Sequence, residues 1–152
     1  MAAPDFPAFA RDLIGHWRLA GWTGETDDGE RVEPGGGDPS GDLIYLPTGR
    51  MAVQIAHGGR EGFGSRDLEA GDESGRADAY GTYIAYAGTF SVPEPGTVVH
   101  HVAQALHPDQ AGMDKRRAYE LDGDDLRLWT QPVAVAGAMA SSELHWKRRS
   151  RF

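Results

Sequence analysis

The sequence predicts an all-β fold of eight antiparallel strands, arranged as a sandwich or a barrel. Three observations predict it. Short runs of alternating apolar and polar residues recur along most of the chain. Clusters of Gly, Pro and Asp punctuate those runs. Only one stretch longer than a turn, about 76–84, reads as a helix.

Taken in order, residues 9–13 form one helical turn, and a first strand follows over about 14–23. A loop rich in Gly, Asp and Pro covers about 24–40. The second and third strands, about 42–46 and 50–56, flank Pro47-Thr48-Gly49. Pro suits the first turn position and Gly the left-handed one, so this is a hairpin. Residues 57–75 are polar and Gly-rich, a long loop of the kind that serves as a lid or simply moves. The fourth and fifth strands, about 86–92 and 97–105, flank Pro93-Glu94-Pro95-Gly96. The sixth and seventh, about 115–121 and 126–131, flank Asp122-Gly123-Asp124-Asp125, and the last covers about 141–148. No repeat or long linker divides residues 1–152, which read as one domain.

Side chains alternate along a strand, so each hairpin assigns two faces at once. The sixth–seventh hairpin puts Tyr119, Leu121, Leu126 and Leu128 on one face; extending it backwards brings Arg117, then Lys115, inside. An unpaired buried cation costs several kcal/mol, about 3–5 when a partner is deleted. Arg117 therefore requires a buried carboxylate or a polar ligand group. Leu43, Tyr45, Met51, Val53 and Ile55 share a face, with Gln54 opposite. Phe90 and Val92 share one with Val98, His100 and Val102, which turns His100 inward and His101 outward. Leu144 and Trp146 face the core together. Tyr80, Tyr83 and Tyr86 recur every three residues, a helical spacing that lines one mouth of the fold or docks the helix.

Composition narrows the function. The net charge of −8 argues against nucleic acid, whose phosphates reward clustered Lys and Arg. The one basic cluster, Lys147, Arg148, Arg149 and Arg151, reads as a solvated last strand. No apolar run reaches the roughly 18 residues of a membrane span. The opening Met1-Ala-Ala-Pro-Asp-Phe-Pro lacks the basic and apolar regions of a leader, and there is no cysteine. Both features suit a cytoplasmic setting. No histidine pair has metal-ligand spacing on one face, and the Gly-rich loops lack a phosphate-cradling context. Neither a metal nor a cofactor is expected. Trp22 and Trp129, read as outward, offer a surface on which a homodimer could form.

Gly15-His16-Trp17 resembles the Gly-x-Trp element that opens the first strand of lipocalins. There the Trp closes one end of the barrel under a basic side chain, a part that Lys147, Arg148 or Arg149 could take here. The wider set is more specific. Leu13-Ile14-Gly15-x-Trp17-Arg18-Leu19, Gly41-x-Leu43-Ile44-Tyr45-x-Pro47-x-Gly49-x-Met51 and Tyr83-x-x-Tyr86-x-Gly88-x-Phe90 belong to it, as do Val98-x-His100-His101-Val102, Arg116-Arg117-x-Tyr119 and Leu144-x-Trp146. Together these resemble the bacterial lipocalin-like domain family across about 13–147. The resemblance implies an eight-stranded antiparallel up-and-down barrel with a central cavity. It implies no single reaction, and no catalytic residue carries over.

The expected occupant is a small, mostly apolar organic molecule. Arg117, His100 and Tyr45 are the candidate catalytic groups. Tyr119, Leu43, Met51, Val53, Ile55, Tyr83, Tyr86, Phe90 and Leu128 would line the substrate site, with Trp17, Leu126 and Trp146 as further wall or floor. One expectation is a cofactor-free cyclase or isomerase of natural-product type. Positioning would supply most of the acceleration, Arg117 or a Tyr would polarise a carbonyl, and His100 would move a proton near neutral pH. The alternative is a binding or carrier protein that leaves its ligand unchanged. A filled barrel serving only as a structural module is the third reading.

Overall fold

A computed structural model describes residues 4–135 and 138–152; the opening Met1-Ala2-Ala3 of the segment read against a leader lies outside them. Ten strands and two α-helices are described: α1 (Ala8–Arg11), β1 (Gly15–Thr26), β2 (Arg31–Val32), β3 (Ser40–Tyr45), β4 (Arg50–Ala56), α2 (Glu73–Gly81), β5 (Tyr83–Glu94), β6 (Thr97–Ala105), β7 (Asp114–Asp122), β8 (Asp125–Trp129), β9 (Val133–Val135) and β10 (Ala138–Ser150). A 3-10 turn at Pro108–Gln110 lies between β6 and β7. The sheet order β1-β3-β4-β5-β6-β7-β8-β10 returns to β1, so eight strands close an antiparallel barrel. The short β2 and β9 sit beyond it, paired to β1 and β10. Among the described residues no helix is long and apolar enough to cross a membrane.

The turns behave as their residues dictate. Gly49 holds φ +85° at the β3–β4 turn, a left-handed position that a Cβ would strain. Gly88 answers a different need. A Cβ there would lie 1.9 Å from the His101 carbonyl oxygen. Its bareness lets β5 and β6 close tightly where their register shifts between Ala87 and Gly88.

The two ends of the barrel differ. At the base, the Trp17 indole N–H donates to the Leu13 carbonyl at 2.9 Å. The Arg148 guanidinium lies 4.1 Å from the Trp17 ring centroid. Arg148 also donates to the carbonyls of Ile14 (3.2 Å) and Asp12 (2.8 Å) and to the Asp124 carboxylate (2.9 Å). Of the three cations proposed for this closure, the second is the one used. Phe6 stacks on Phe90 at 4.9 Å and seals the base further. At the other end the connections are long: 27–39 with β2, 57–82 with α2, and 106–113.

Two sequence expectations are corrected. Residues 83–86 are strand, and the helix runs Glu73–Gly81, so the spacing of Tyr80, Tyr83 and Tyr86 is not helical. Asp72 caps the helix, accepting from the Gly75 amide at 2.7 Å, which sets its start. Trp22 is not outward, as strict alternation from Trp17 and Leu19 would make it. The β1–β10 register shifts between Leu19 and Gly21, pairing Trp22 with the inward Leu144. This bulge at Ala20 turns Trp22 inward, leaving Trp129 alone of the pair proposed for a dimer surface.

Candidate functional site

Inside the barrel most side chains are apolar. Leu43, Met51, Val53, Ile55, Phe90 and Leu128, the expected walls, are all buried in one cluster with Trp17, Leu126 and Trp146. Tyr119 joins them at the closed end of β7. Tyr83 does not. It pairs with Ala56 at the start of β5, three residues from the inward Tyr86 and therefore on the other face. Its hydroxyl donates to Gln54 on the outer wall, and the Arg60 guanidinium lies 5.0 Å from its ring. Arg60 also donates to Thr82 and to the Ala79 carbonyl, which fastens the start of the long 57–75 loop against the outside of α2 and β5.

A polar group interrupts this interior. His100 is buried, 2% exposed, and both ring nitrogens are engaged. Nε2 lies 2.6 Å from the Tyr45 hydroxyl and Nδ1 lies 2.8 Å from the Tyr86 hydroxyl. β3, β5 and β6 supply one residue each. Burial drives the His100 pKa down to about 3, helped by the charges of Arg117, Lys115 and His101. The imidazole is thus neutral at physiological pH and bonded on both sides. In this arrangement it is a hydrogen-bonding spacer between two phenols, not the neutral-pH proton carrier that the sequence reading expected. Burial also raises the pKa of Tyr45 far above its ordinary value and that of Tyr86 more modestly. The Arg117 cation opposes the rise at Tyr86 through its charge and a hydrogen bond.

Beside the three rings stand two cations on the inward face of β7. Lys115 is paired with His100 across the sheet, and Arg117 with Val98. Both are half-buried. The Lys115 ammonium lies 4.3 Å from the Tyr86 ring centroid and donates to the Gln110 side chain at 2.7 Å. Burial, then the charge of Arg117, lowers its pKa to about 8. Among the described residues neither cation has a carboxylate within 4.0 Å, whereas the outward Arg116 pairs with Glu94 and Arg127 with Glu143. Of the two outcomes foreseen for Arg117, the buried carboxylate is the one not found. Two indole N–H groups, of Trp22 and Trp146, are also buried with no acceptor among the described residues. Both sit on inward strand positions. The lining is therefore rich in donors and poor in acceptors.

A cavity of about 180 Å³ opens at the rim between α2 and the β6–β7 connection. Tyr80, Tyr83, Ile84, Leu106, His107 and Gln110 border it. Gln110 joins this cavity to Lys115. Sequence reasoning did not find Gln110, which lies in an irregular turn and carries no periodic signal. Lys115 was legible as the next inward position before Arg117.

A family model described as a lipocalin-like domain matches residues 14–149. The chain belongs to the lipocalin-like domain family. A curated relative is the 4'-hydroxy-3'-methoxypropiophenone carrier protein ppsC of Aspergillus oryzae. It is 28% identical over 110 residues, which cover 67% of this chain and 99% of the relative. The lipocalin-like barrel and a relative named as a carrier both support small-molecule binding.

Proposed function

We propose that this lipocalin-like protein is a carrier: it binds one small, mostly apolar, oxygen-bearing organic molecule and releases it unchanged. The observation that carries the reading is a pair of half-buried cations, Lys115 and Arg117, set in an apolar barrel and met among the described residues by neutral acceptors, the Gln110 side chain and the Arg116 carbonyl, but by no carboxylate within 4.0 Å. A ligand oxygen would supply a further acceptor, and an apolar frame would meet Ile84 and Leu106 at the rim. The carrier relative, whose named ligand is an aromatic ketone, supports this class of ligand. A cytoplasmic setting suits a chain without cysteine.

A second reading uses the same groups. Arg117 beside the Tyr86 hydroxyl could polarise a ligand carbonyl as charge develops, promoting cyclisation or isomerisation without a cofactor. One experiment separates the two. The purified protein is titrated calorimetrically with 4'-hydroxy-3'-methoxypropiophenone and with the apolar dye N-phenyl-1-naphthylamine. Bound material is then extracted after long incubation and compared with the input by chromatographic retention and proton NMR, because an isomer keeps its mass. Saturable one-to-one binding with unchanged ligand is expected. A rearranged product would move the assignment to the enzyme, and no saturable binding of either compound would sink both readings.

A further inference from the structure

The three-ring network has a direction, and the direction decides which hydroxyl meets a ligand. A neutral imidazole carries one N–H donor and one bare acceptor. One tyrosine must therefore donate to His100 while the other accepts from it, and the accepting one keeps its own hydrogen free. Tyr45 is wholly buried, and its hydroxyl has one partner, His100 Nε2. If Tyr45 were the accepting end, its hydrogen would be stranded without an acceptor, which costs about 1–3 kcal/mol. Tyr86 is the more open of the two, 9% exposed, and faces Lys115 and Arg117. The economical arrangement runs from the Tyr45 O–H to Nε2 and from Nδ1–H to the Tyr86 oxygen. The Tyr86 hydrogen is then left pointing away from the network.

Two cations stand around Tyr86: the Lys115 ammonium over its ring, 4.3 Å from the centroid, and Arg117 at its hydroxyl. The titratable or charged groups around it are Tyr45 on β3, His100 on β6, and Lys115, Arg117 and Tyr119 on β7, with His101 behind the sheet paired to Asp114. None of the groups facing inward is an acid of the carboxylate kind. Resting on the small-molecule reading above, we propose that the site takes an anionic oxygen, a phenolate or enolate on an apolar frame, against the free hydroxyl hydrogen of Tyr86 beside Lys115 and Arg117. The ligand body would then reach the rim through the cavity that Gln110 borders.

The test uses 4-nitrophenol, whose ionisation is visible by absorbance, and 4-nitroanisole, the same frame without an ionisable oxygen. With the intact chain, bound nitrophenol should ionise at least one pH unit lower than free nitrophenol, equivalent to tenfold preference for the anion. Lys115→Gln, Arg117→Gln and Tyr86→Phe should each reduce that preference severalfold, while far-UV circular dichroism and a cooperative thermal melt like those of the intact chain show that the fold persists. Nitrogen-15 shifts of His100 should place its proton on Nδ1. An unshifted nitrophenol ionisation with nitroanisole still bound would overturn the anionic ligand while sparing the binding reading. A proton on Nε2 would overturn the assignment of the free hydrogen to Tyr86. Absence of binding by both probes would count against the binding reading itself, and this inference would fall with it.

Discussion

His100 stores a pH dependence that follows from where it sits. Its pKa is lowered from 6.5 to about 3 by burial, with cationic neighbours adding to the effect. The unfolded chain takes up this proton below about pH 6.5 and the folded chain does not. Stability is therefore complete above 6.5 and is lost as pH falls toward 3. Between 6.5 and 4 this one group accounts for roughly 3 kcal/mol, at about 1.4 kcal/mol per unit. Chemical denaturation across that range should show the loss, and His100→Gln, though less stable at neutrality, should show a flatter acid slope. Equal slopes in the two proteins would mean that His100 is not the source. The outward His16, His101 and His145 differ in their surroundings: each is exposed or half-exposed and lies within 2.7 Å of an aspartate.

At the scale of the element, the base shows what one side chain can join. Arg148 touches the approach to β1, the β7–β8 turn and the Trp17 ring, and its side chain is only 4% exposed. Lysine cannot reproduce a planar fork that donates in several directions while stacking on an indole. Arg148→Lys should cost about 2–3 kcal/mol, lowering the melting midpoint by roughly 5–10 °C. Arg127→Lys, in an exposed pair with Glu143 at 3.7 Å, should change it by less than about 0.5 kcal/mol. A comparable effect from both would remove the special standing of Arg148. Elements also explain what the sequence made legible. Hairpins with short Gly turns lock two strands in register, so the inward sets of β3–β4 and β7–β8, and with them Tyr45, Arg117 and Tyr119, follow from alternation alone. The inward turn of Trp22 does not follow, because a bulge inserts one residue without a sequence mark of its own. Tyr83 was misplaced for a related reason: three residues separate it from Tyr86, which reads as one helix face but as two strand faces. The Tyr45–His100–Tyr86 network combines three strands distant in sequence, so each member was visible singly while their bonding was not.

At the scale of the whole molecule, stability is spread unevenly. β1 and β10 pair over ten residue positions and join the two ends of the chain, so they open only when the barrel does. Residues 60–69 are exposed throughout, and few of their amides are bonded. Hydrogen exchange read by mass spectrometry should find β1 and β10 among the most protected segments. Residues 59–71 should exchange within seconds, and a ligand at the rim should slow exchange around 80–86 and 106–115 more than at the base. Uniform protection along the chain would contradict this division.

The extra residue at Ala20 also separates two tasks within one strand. Upstream of it, Trp17–Leu19 keep step with the floor; downstream, Trp22 and its neighbours keep step with the opening. Because the slip absorbs the mismatch, substitutions in the upper half can reshape what the barrel admits without disturbing the foundation.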